Sequence, residues 1–179
     1  VISAHGDHIA PAEACEGMER AWGGPVTTQT LKGGHVGVSV TQGGLRVDSA
    51  QAADQLSIQV EGSTGSAQGQ LTLGQLSAGG DLTLSNRLGG IAHSNASSVL
   101  RADSQTALTR LSAGGDIDLS GSLNDFATLR IDAAANAQVR DRNDLNLGAV
   151  TVSGDLSLRS GSTVTVLQSQ SVTAGRHAS

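Results

Sequence analysis

From Val36 onward, hydrophobic residues alternate with small or polar ones. Short runs of this kind recur along the whole remaining chain, and Gly, Ser, Asn or Asp lies close to most of them. Examples are Val36/Val38/Val40, Leu56/Ile58/Val60, Leu82/Leu84, Ile117/Leu119, Leu156/Leu158 and Val164/Val166. A period of two in short segments is typical of many strands that each bury one face. The pattern therefore predicts an all-β region over residues 31–179.

Residues 1–30 follow a different pattern and form a separate, non-repeat segment. The segment from Pro11 to Trp22 predicts a short helix over 11–22, because proline suits a first helical position. Its apolar residues fall on one helical face, and Gly23-Gly24-Pro25 ends it. The sequence thus predicts a non-repeat segment over 1–30 and a repeat region over 31–179.

One motif is repeated within the chain. Leu-Ser-Ala-Gly-Gly-Asp-Leu-Thr-Leu-Ser over 76–85 returns over 111–120 with eight of ten positions identical, and a looser copy covers 150–158. The offsets of 35 and 39 residues are each about twice 17–20, which is roughly the length of three short strands with three turns. Such a unit buries its apolar face only by stacking on copies of itself. We therefore expect a solenoid in which each strand pairs in parallel with its equivalent one turn away.

The composition agrees with a narrow aliphatic interior. Aromatic residues are 1% of the 179 residues, with one Trp, one Phe and no Tyr. The single Cys excludes a disulfide framework and a Cys-based zinc site. No apolar stretch approaches 18 residues, so no membrane span is expected.

The repeated motif also suggests how the turns are built. Paired glycines would allow a positive-φ corner, and the following Asp would bond the backbone N–H groups of its own turn. Recurrence at every copy favours a structural over a catalytic role for these residues. The predicted structural turn residues are Gly79, Gly80, Asp81, Gly114, Gly115, Asp116, Gly154 and Asp155.

A second motif, Leu-Arg-x-Asp, places Arg and Asp on the outward face at residues 45–48, 100–103 and 129–132. Residues 87–179 carry eight Arg and eight Asp, and the whole chain has a net charge of −5. One interpretation is a solvated, charge-balanced face; the other is a site for anionic glycans. The candidate ligand-binding residues are Arg101, Arg110, Arg130, Arg140 and Arg142. The basic residues are not clustered and few aromatics could stack on bases, so nucleic acid is not an expected partner.

The Ala-Gly-Gly-Asp copies over 78–84 and 113–119, with the segment 71–82 around the first, resemble the repeats of filamentous haemagglutinin and related two-partner-secretion exoproteins. The resemblance covers roughly residues 36–179. It implies a right-handed parallel β-helix, passage through an outer-membrane partner transporter, and a place in a very long fibrous adhesin at the bacterial surface. The chain would then be a fragment of a secreted protein. The chain lacks the Arg-Gly-Asp integrin motif known in this family.

These observations leave two main hypotheses. The first is an adhesin segment that attaches to host-cell glycans or receptors; the second is a structural spacer with no ligand. We expect no enzymatic activity, because the only Lys is Lys32 and the aromatic platforms common in polysaccharide-cleaving β-helices are nearly absent. No cofactor and no metal are expected. A zinc site at His5, Asp7 and His8 with Glu13 or Glu16 was the alternative to a flexible polar terminus.

Overall fold

The computed structural model describes residues 2–3, 32–41, 43–61, 69–177 and 179, and every regular element among them is a β-strand. The predicted helix over 11–22 lies outside the described residues. The strands are β1 Ile2–Ser3, β2 Lys32–Val40, β3 Leu45–Val60, β4 Leu71–Ala78, β5 Leu82–Asn86, β6 Ile91–His93, β7 Val99–Ala102, β8 Leu108–Ala113, β9 Ile117–Leu119, β10 Thr128–Ala133, β11 Ala137–Arg140, β12 Leu145–Val152, β13 Leu156–Arg159, β14 Val164–Val166 and β15 Val172–Ala174.

The strands form one sheet that winds around the chain's own axis. From β2 to β15 every pairing between described strands is parallel, and it joins each strand to its equivalent in the next turn. The short β1 is different, because it pairs with β2 in the antiparallel sense. The prediction of a parallel β-helix is confirmed.

The interior consists of apolar rows, one residue from each turn. The sheet register keeps a given row on one face, because every paired residue points to the same side as its partner. The first-face row is Leu45, Leu71, Ile91, Ile117, Ala137 and Leu156. The second-face row is Val38, Ile58, Leu84, Leu111, Ile131, Val150 and Val172. A shorter third-face row is Ala50, Leu76 and Leu100.

These rows are buried as the alternation predicted, apart from Val172 at the end of the second-face row, which is exposed. Leu71, Leu84, Leu111 and Ile131 are fully inaccessible to solvent. The interior also accommodates one ring, because Phe126 is only 1% exposed and is the largest fully buried side chain in the described chain. The expectation of an interior with little room for rings therefore holds for the rows and fails at this one position.

The turns are not equal in length. Along the second face, a turn takes 20 residues from Thr109 to Leu129 and 18 from Leu129 to Leu147, but 27 from Leu82 to Thr109. The long turn contains two loops, at 94–98 and 103–107, on either side of β7. Loops extend outward from the coil, so they change the residue count without changing the stacking of the strands.

Unequal turns correct one inference from the repeats. Ile117 and Leu156 share the first-face row, so the offset of 39 residues does equal two turns. Leu82 lies instead on the second face, paired with Leu56 and Thr109. The offset of 35 residues is therefore not two turns, because the 27-residue turn brings the second copy of the motif to the next face.

The corner glycines adopt no positive φ, so that part of the turn prediction is wrong. Among the described residues, positive φ occurs only at Gly43 and Ser169. The reason for glycine is the close approach of neighbouring turns: a Cβ on Gly79 would lie 2.0 Å from the carbonyl oxygen of Ala53, and one on Gly114 would lie 2.3 Å from that of Arg87. The same crowding applies at Gly154, where a Cβ would meet Asn136 Oδ1 at 2.3 Å. At Gly80 and Gly115 the nearest atoms would lie at 2.8 Å and 3.0 Å.

The corner aspartates also act between turns rather than within one. Asp81 Oδ1 accepts a hydrogen bond from the backbone N–H of Leu108, 27 residues ahead. Asp116 Oδ1 accepts from both the backbone and the side-chain nitrogens of Asn136. At Asp155 the backbone N–H donates to Asn136 Oδ1. The predicted Asx-type turn is therefore replaced by hydrogen bonds that tie successive turns together.

We predict that Gly79→Ala lowers the free energy of unfolding by about 1–3 kcal/mol, because the added methyl forces two turns apart. Gly148→Ala is the matched control, since its Cβ would meet no atom closer than 3.6 Å. Urea unfolding followed by circular dichroism measures both changes. Equal effects of the two substitutions would contradict close turn-to-turn approach as the reason for Gly79.

Candidate functional site

The five candidate arginines lie on the outward face of the coil. Arg101 is in β7, Arg110 in β8, Arg130 in β10 and Arg140 at the end of β11, while Arg142 follows that strand. The strand pleat holds the first four side chains outward, because each of these arginines lies between buried neighbours, and Arg142 is exposed just beyond the strand. The structure distributes them over different faces, so they do not form one continuous patch.

Arg110 and Arg130 are neighbours on the second face and share one carboxylate. They are directly paired in the β8–β10 ladder. Asp132 lies between them, with its oxygens 2.7 Å from Arg110 Nε and 2.5 Å from Arg130 Nε. Two like charges opposite each other in a ladder repel. The shared carboxylate offsets that repulsion and engages the Nε–H donor of each arginine.

Arg101 and Arg142 are also neutralised. Arg101 forms an ion pair with Asp103 and lies 3.9 Å from Asp125, whose other close partner is Arg142 at 2.5 Å. The Asp125 side chain is only 18% exposed, so this carboxylate is better shielded than the arginines around it. Four of the five candidate arginines therefore have a carboxylate partner, as the charge-balanced interpretation expects.

Arg140 differs from the other four candidates. No carboxylate among the described residues forms an ion pair with it, and the same is true of Arg159, which is its direct partner in the β11–β13 ladder. Both side chains are exposed. We call Arg140 and Arg159 the open arginine pair. Arg159 is not among the residues predicted from the sequence, because only the ladder places it beside Arg140.

The missing carboxylate has a visible cause in the sequence. In Leu-Arg-x-Asp the acidic residue lies two positions after the arginine, as in the Arg46–Asp48 ion pair at 2.7 Å. At the corresponding positions, Arg140 is followed by Arg142 and Arg159 by Gly161. The open arginine pair therefore departs from the motif at the position that supplies the counter-charge.

A buried polar corner lies next to this pair. Asn124 is fully buried, and its side-chain nitrogen donates to the carbonyl oxygens of Leu119, Gly121 and Arg140 at 2.9–3.1 Å. Its Oδ1 accepts from the backbone N–H of Leu100 and lies 3.1 Å from His93 Nε2. One amide thus joins three turns, and the polar atoms of this buried side chain all have hydrogen-bond partners.

Asp141 continues this corner in the next turn. It is fully buried, and its two oxygens accept the backbone N–H groups of Phe126 and Asn143 at 2.7 Å and 2.9 Å. Burial raises the pKa of Asp141 above its usual value, although these hydrogen bonds and Arg142 act in the opposite direction. The backbone N–H of Asp141 donates to the carbonyl oxygen of Arg159, so the corner fixes the backbone beneath the open arginine pair.

His93 is the titratable side chain that is hydrogen-bonded to Asn124 in this corner. Because Asn124 Oδ1 can only accept, His93 Nε2 carries the proton in their hydrogen bond. Burial lowers the pKa of His93, while the Asn124 hydrogen bond and the charge of Asp118 partly oppose this shift. The imidazole therefore resists a second proton in the folded state.

No group of three or more His, Cys, Asp or Glu side chains that could hold a metal occurs among the described residues. The alternative zinc site at His5, Asp7 and His8 lies outside them. No helix in the described part of the chain is long and apolar enough to cross a membrane.

A family model described as "Repeats of unknown function (DUF5649)" matches residues 62–131 and 134–177. The two matched segments cover more than half of the chain. The chain belongs to this repeat family. No curated protein and no solved structure matches it. The two matches span β4 to β15, so the family's repeats correspond to the stacked turns, including both ladders described above.

We predict that Asn124→Ala lowers the free energy of unfolding by about 2–4 kcal/mol, because it leaves buried backbone groups in three turns without partners. Asn146→Ala is the control, since that side chain makes one hydrogen bond, to Ala127. Thermal and urea unfolding measure the difference, and hydrogen exchange of the Leu100 amide localises it. An unchanged Leu100 exchange rate in Asn124→Ala would contradict this role.

We also predict that His93 makes the fold less stable in acid. The pKa of His93 is lowered on folding, so the unfolded chain binds the proton more tightly. Stability is therefore present above the usual histidine pKa of about 6.5 and is lost as pH falls below it. His93→Gln keeps a donor for Asn124 but cannot titrate.

The expected result is a smaller loss of stability between about pH 7 and pH 5.5 for His93→Gln than for the unsubstituted protein. Comparison at each pH cancels the contributions of Asp141 and the other carboxyls. His35→Gln is the control, since His35 is exposed and contacts Asp54 at the surface. Identical pH profiles for His93→Gln and the unsubstituted protein would exclude His93 as the source of the acid sensitivity.

Proposed function

We propose that this chain is a shaft segment of a secreted, surface-associated bacterial filamentous adhesin that contributes to attachment to host cells. The observation that carries the proposal is the in-register stack of turns, in which rows such as Leu45 to Leu156 run continuously along the axis. Stacked turns extend by about 4.8 Å each, so added repeats lengthen the structure without changing its cross-section.

The resemblance of the repeats to two-partner-secretion exoproteins supports the same proposal. Under it, an outer-membrane partner transporter delivers the unfolded chain, which then folds turn upon turn at the bacterial surface. The aliphatic interior is consistent with that route, because no described residue requires a metal or a disulfide to complete the coil. Host glycans or receptors would meet the outward faces of the coil, where the arginines lie.

A second candidate function is a spacer that sets distance and has no ligand of its own. The ion pairs of Arg101, Arg110, Arg130 and Arg142 favour it, because each carboxylate competes with any anionic ligand. The open arginine pair favours the adhesive function over the spacer, because no described carboxylate forms an ion pair with it.

We predict that the fluorescently labelled chain binds cultured host epithelial cells saturably if it is an adhesive segment. Enzymatic removal of cell-surface anionic glycans should reduce that binding several-fold, because the positive groups on the coil would lose their partners. A chain unfolded by heat and then alkylated at Cys15 serves as the control for nonspecific adsorption. Absence of saturable binding by a folded chain would reject the adhesive function and leave the spacer.

A further inference from the structure

The β-helix contains two pairs of arginines in the same ladder geometry with opposite surroundings. In one, Arg110 and Arg130 are direct register partners with Asp132 clamped between them. In the other, Arg140 and Arg159 are direct register partners with no ion-paired carboxylate among the described residues. The first pair shows which chemistry this fold uses to hold two adjacent guanidinium groups together.

We propose that the open arginine pair is an oxyanion-binding site, where a sulfate, phosphate or carboxylate group takes the position that Asp132 occupies between Arg110 and Arg130. Adjacent parallel strands lie about 4.8 Å apart, so the two side chains leave the sheet close enough to share one ligand. A guanidinium presents a planar set of donors that matches the oxygens of such groups.

No ion pair in the described part of the chain relieves the repulsion between the two arginines. Asp118, the register partner of Gln138, accepts a hydrogen bond from the hydroxyl of Ser120. The adjacent Asp141 points inward, with both oxygens bonded to backbone N–H groups. Neither carboxylate forms an ion pair with the open pair, so an external anion would lower its electrostatic energy.

The backbone beneath the pair is held in place before any ligand arrives. Asn124 Nδ2 donates to the carbonyl oxygen of Arg140 at 2.9 Å, and the backbone N–H of Asp141 donates to that of Arg159 at 2.8 Å. Both donors belong to the buried corner. The strands therefore do not need to rearrange on binding, which reduces the entropic cost to that of ordering two side chains.

Outward neighbours on the same face are compatible with an oxyanion. Gln138 and Ser157 are register partners that lie two residues before Arg140 and Arg159 in their strands. Both side chains therefore present neutral donors on the same side of the sheet as the open arginine pair. The site thus has two cations flanked by an amide and a hydroxyl. This inference rests on the adhesive form of the proposed function for its biological ligand, an anionic glycan, while the site itself is defined by the arginines.

The direct test is titration with inorganic sulfate against chloride at constant ionic strength, with the arginine Nε–H signals followed by NMR. We expect Arg140 and Arg159 to shift together and to saturate. The double variant Arg140→Gln/Arg159→Gln should weaken sulfate binding by at least about tenfold. Arg110→Gln/Arg130→Gln should leave it unchanged, because those side chains are already engaged by Asp132.

A gain-of-charge variant tests the pair while keeping both arginines. Ser120 follows Leu119, which is paired with Val139, so Ser120→Asp introduces a carboxylate on the strand next to Arg140. We expect Ser120→Asp to weaken sulfate binding several-fold and Ser120→Asn to leave it unchanged. Loss of binding in the Arg110→Gln/Arg130→Gln control, or unchanged binding in Arg140→Gln/Arg159→Gln, would overturn the proposal.

The source of the oxyanion is resolved by retention on immobilised polymers. Preference for sulfate esters predicts retention on heparin and not on hyaluronan, whereas preference for carboxylates predicts retention on both; phosphocellulose reports phosphate. Neutral dextran is the blank. If sulfate binds at the open pair while cells are not bound, the adhesive function fails and the site stands. If cells are bound equally by Arg140→Gln/Arg159→Gln, the site is not the adhesive one.

Discussion

The register between successive turns is the constraint on which the whole structure depends. A parallel ladder aligns equivalent residues, so an inward Leu or Ile must find another apolar residue one turn below and one turn above. The first-face row from Leu45 to Leu156 satisfies this at six consecutive levels. A shift of the register by one residue would turn the inward residues of every row outward. The rows therefore accept small apolar residues such as Ala137, and polar residues are rare in them.

Three of the buried polar residues, Asn86, Asn124 and Asp141, join neighbouring turns. Asn86 shows this at a second corner, because its side-chain nitrogen donates to the carbonyls of Gly69 and Gly90 while Gly89 donates to its Oδ1. Asn124 does the same between three turns. Such side chains supply the hydrogen bonds that the ladder cannot make where the chain bends away from strand geometry. In the described chain, Thr109 alone has a buried hydroxyl without a partner.

The sequence predicted the fold because its periodicity is a direct record of which residues face inward. It predicted the turns less well, since nothing in Gly-Gly-Asp distinguishes a positive-φ corner from a close approach between turns, and the latter depends on Ala53 and Arg87 in other turns. The alternation pattern also could not predict which face of the coil each motif copy occupies. The loops at 94–98 and 103–107 lengthen one turn, and the pattern does not show that they do so.

The partners of the candidate arginines also depend on contacts between turns, which a local sequence motif does not show. Leu-Arg-x-Asp predicted outward charges, and four candidates do pair with aspartates, but their partners include residues in other turns, such as Asp132 for Arg110. Arg159 became recognisable only as the ladder partner of Arg140. To predict which residues pair across turns, one must know the number of residues in each turn, and this number varies from 18 to 27 between neighbouring turns.

The most direct test of the stacked register is a set of distances between spin labels along one outward row, in a chain with Cys15 replaced by Ser. Arg46 lies three, four and five steps from Asp118, Gln138 and Ser157 in that row. Labels at residue 46 and at each of these positions should give distances that increase by about 4.8 Å per step, to about 24 Å between the backbones at residues 46 and 157. Distances that do not increase along the series would contradict the stacked register.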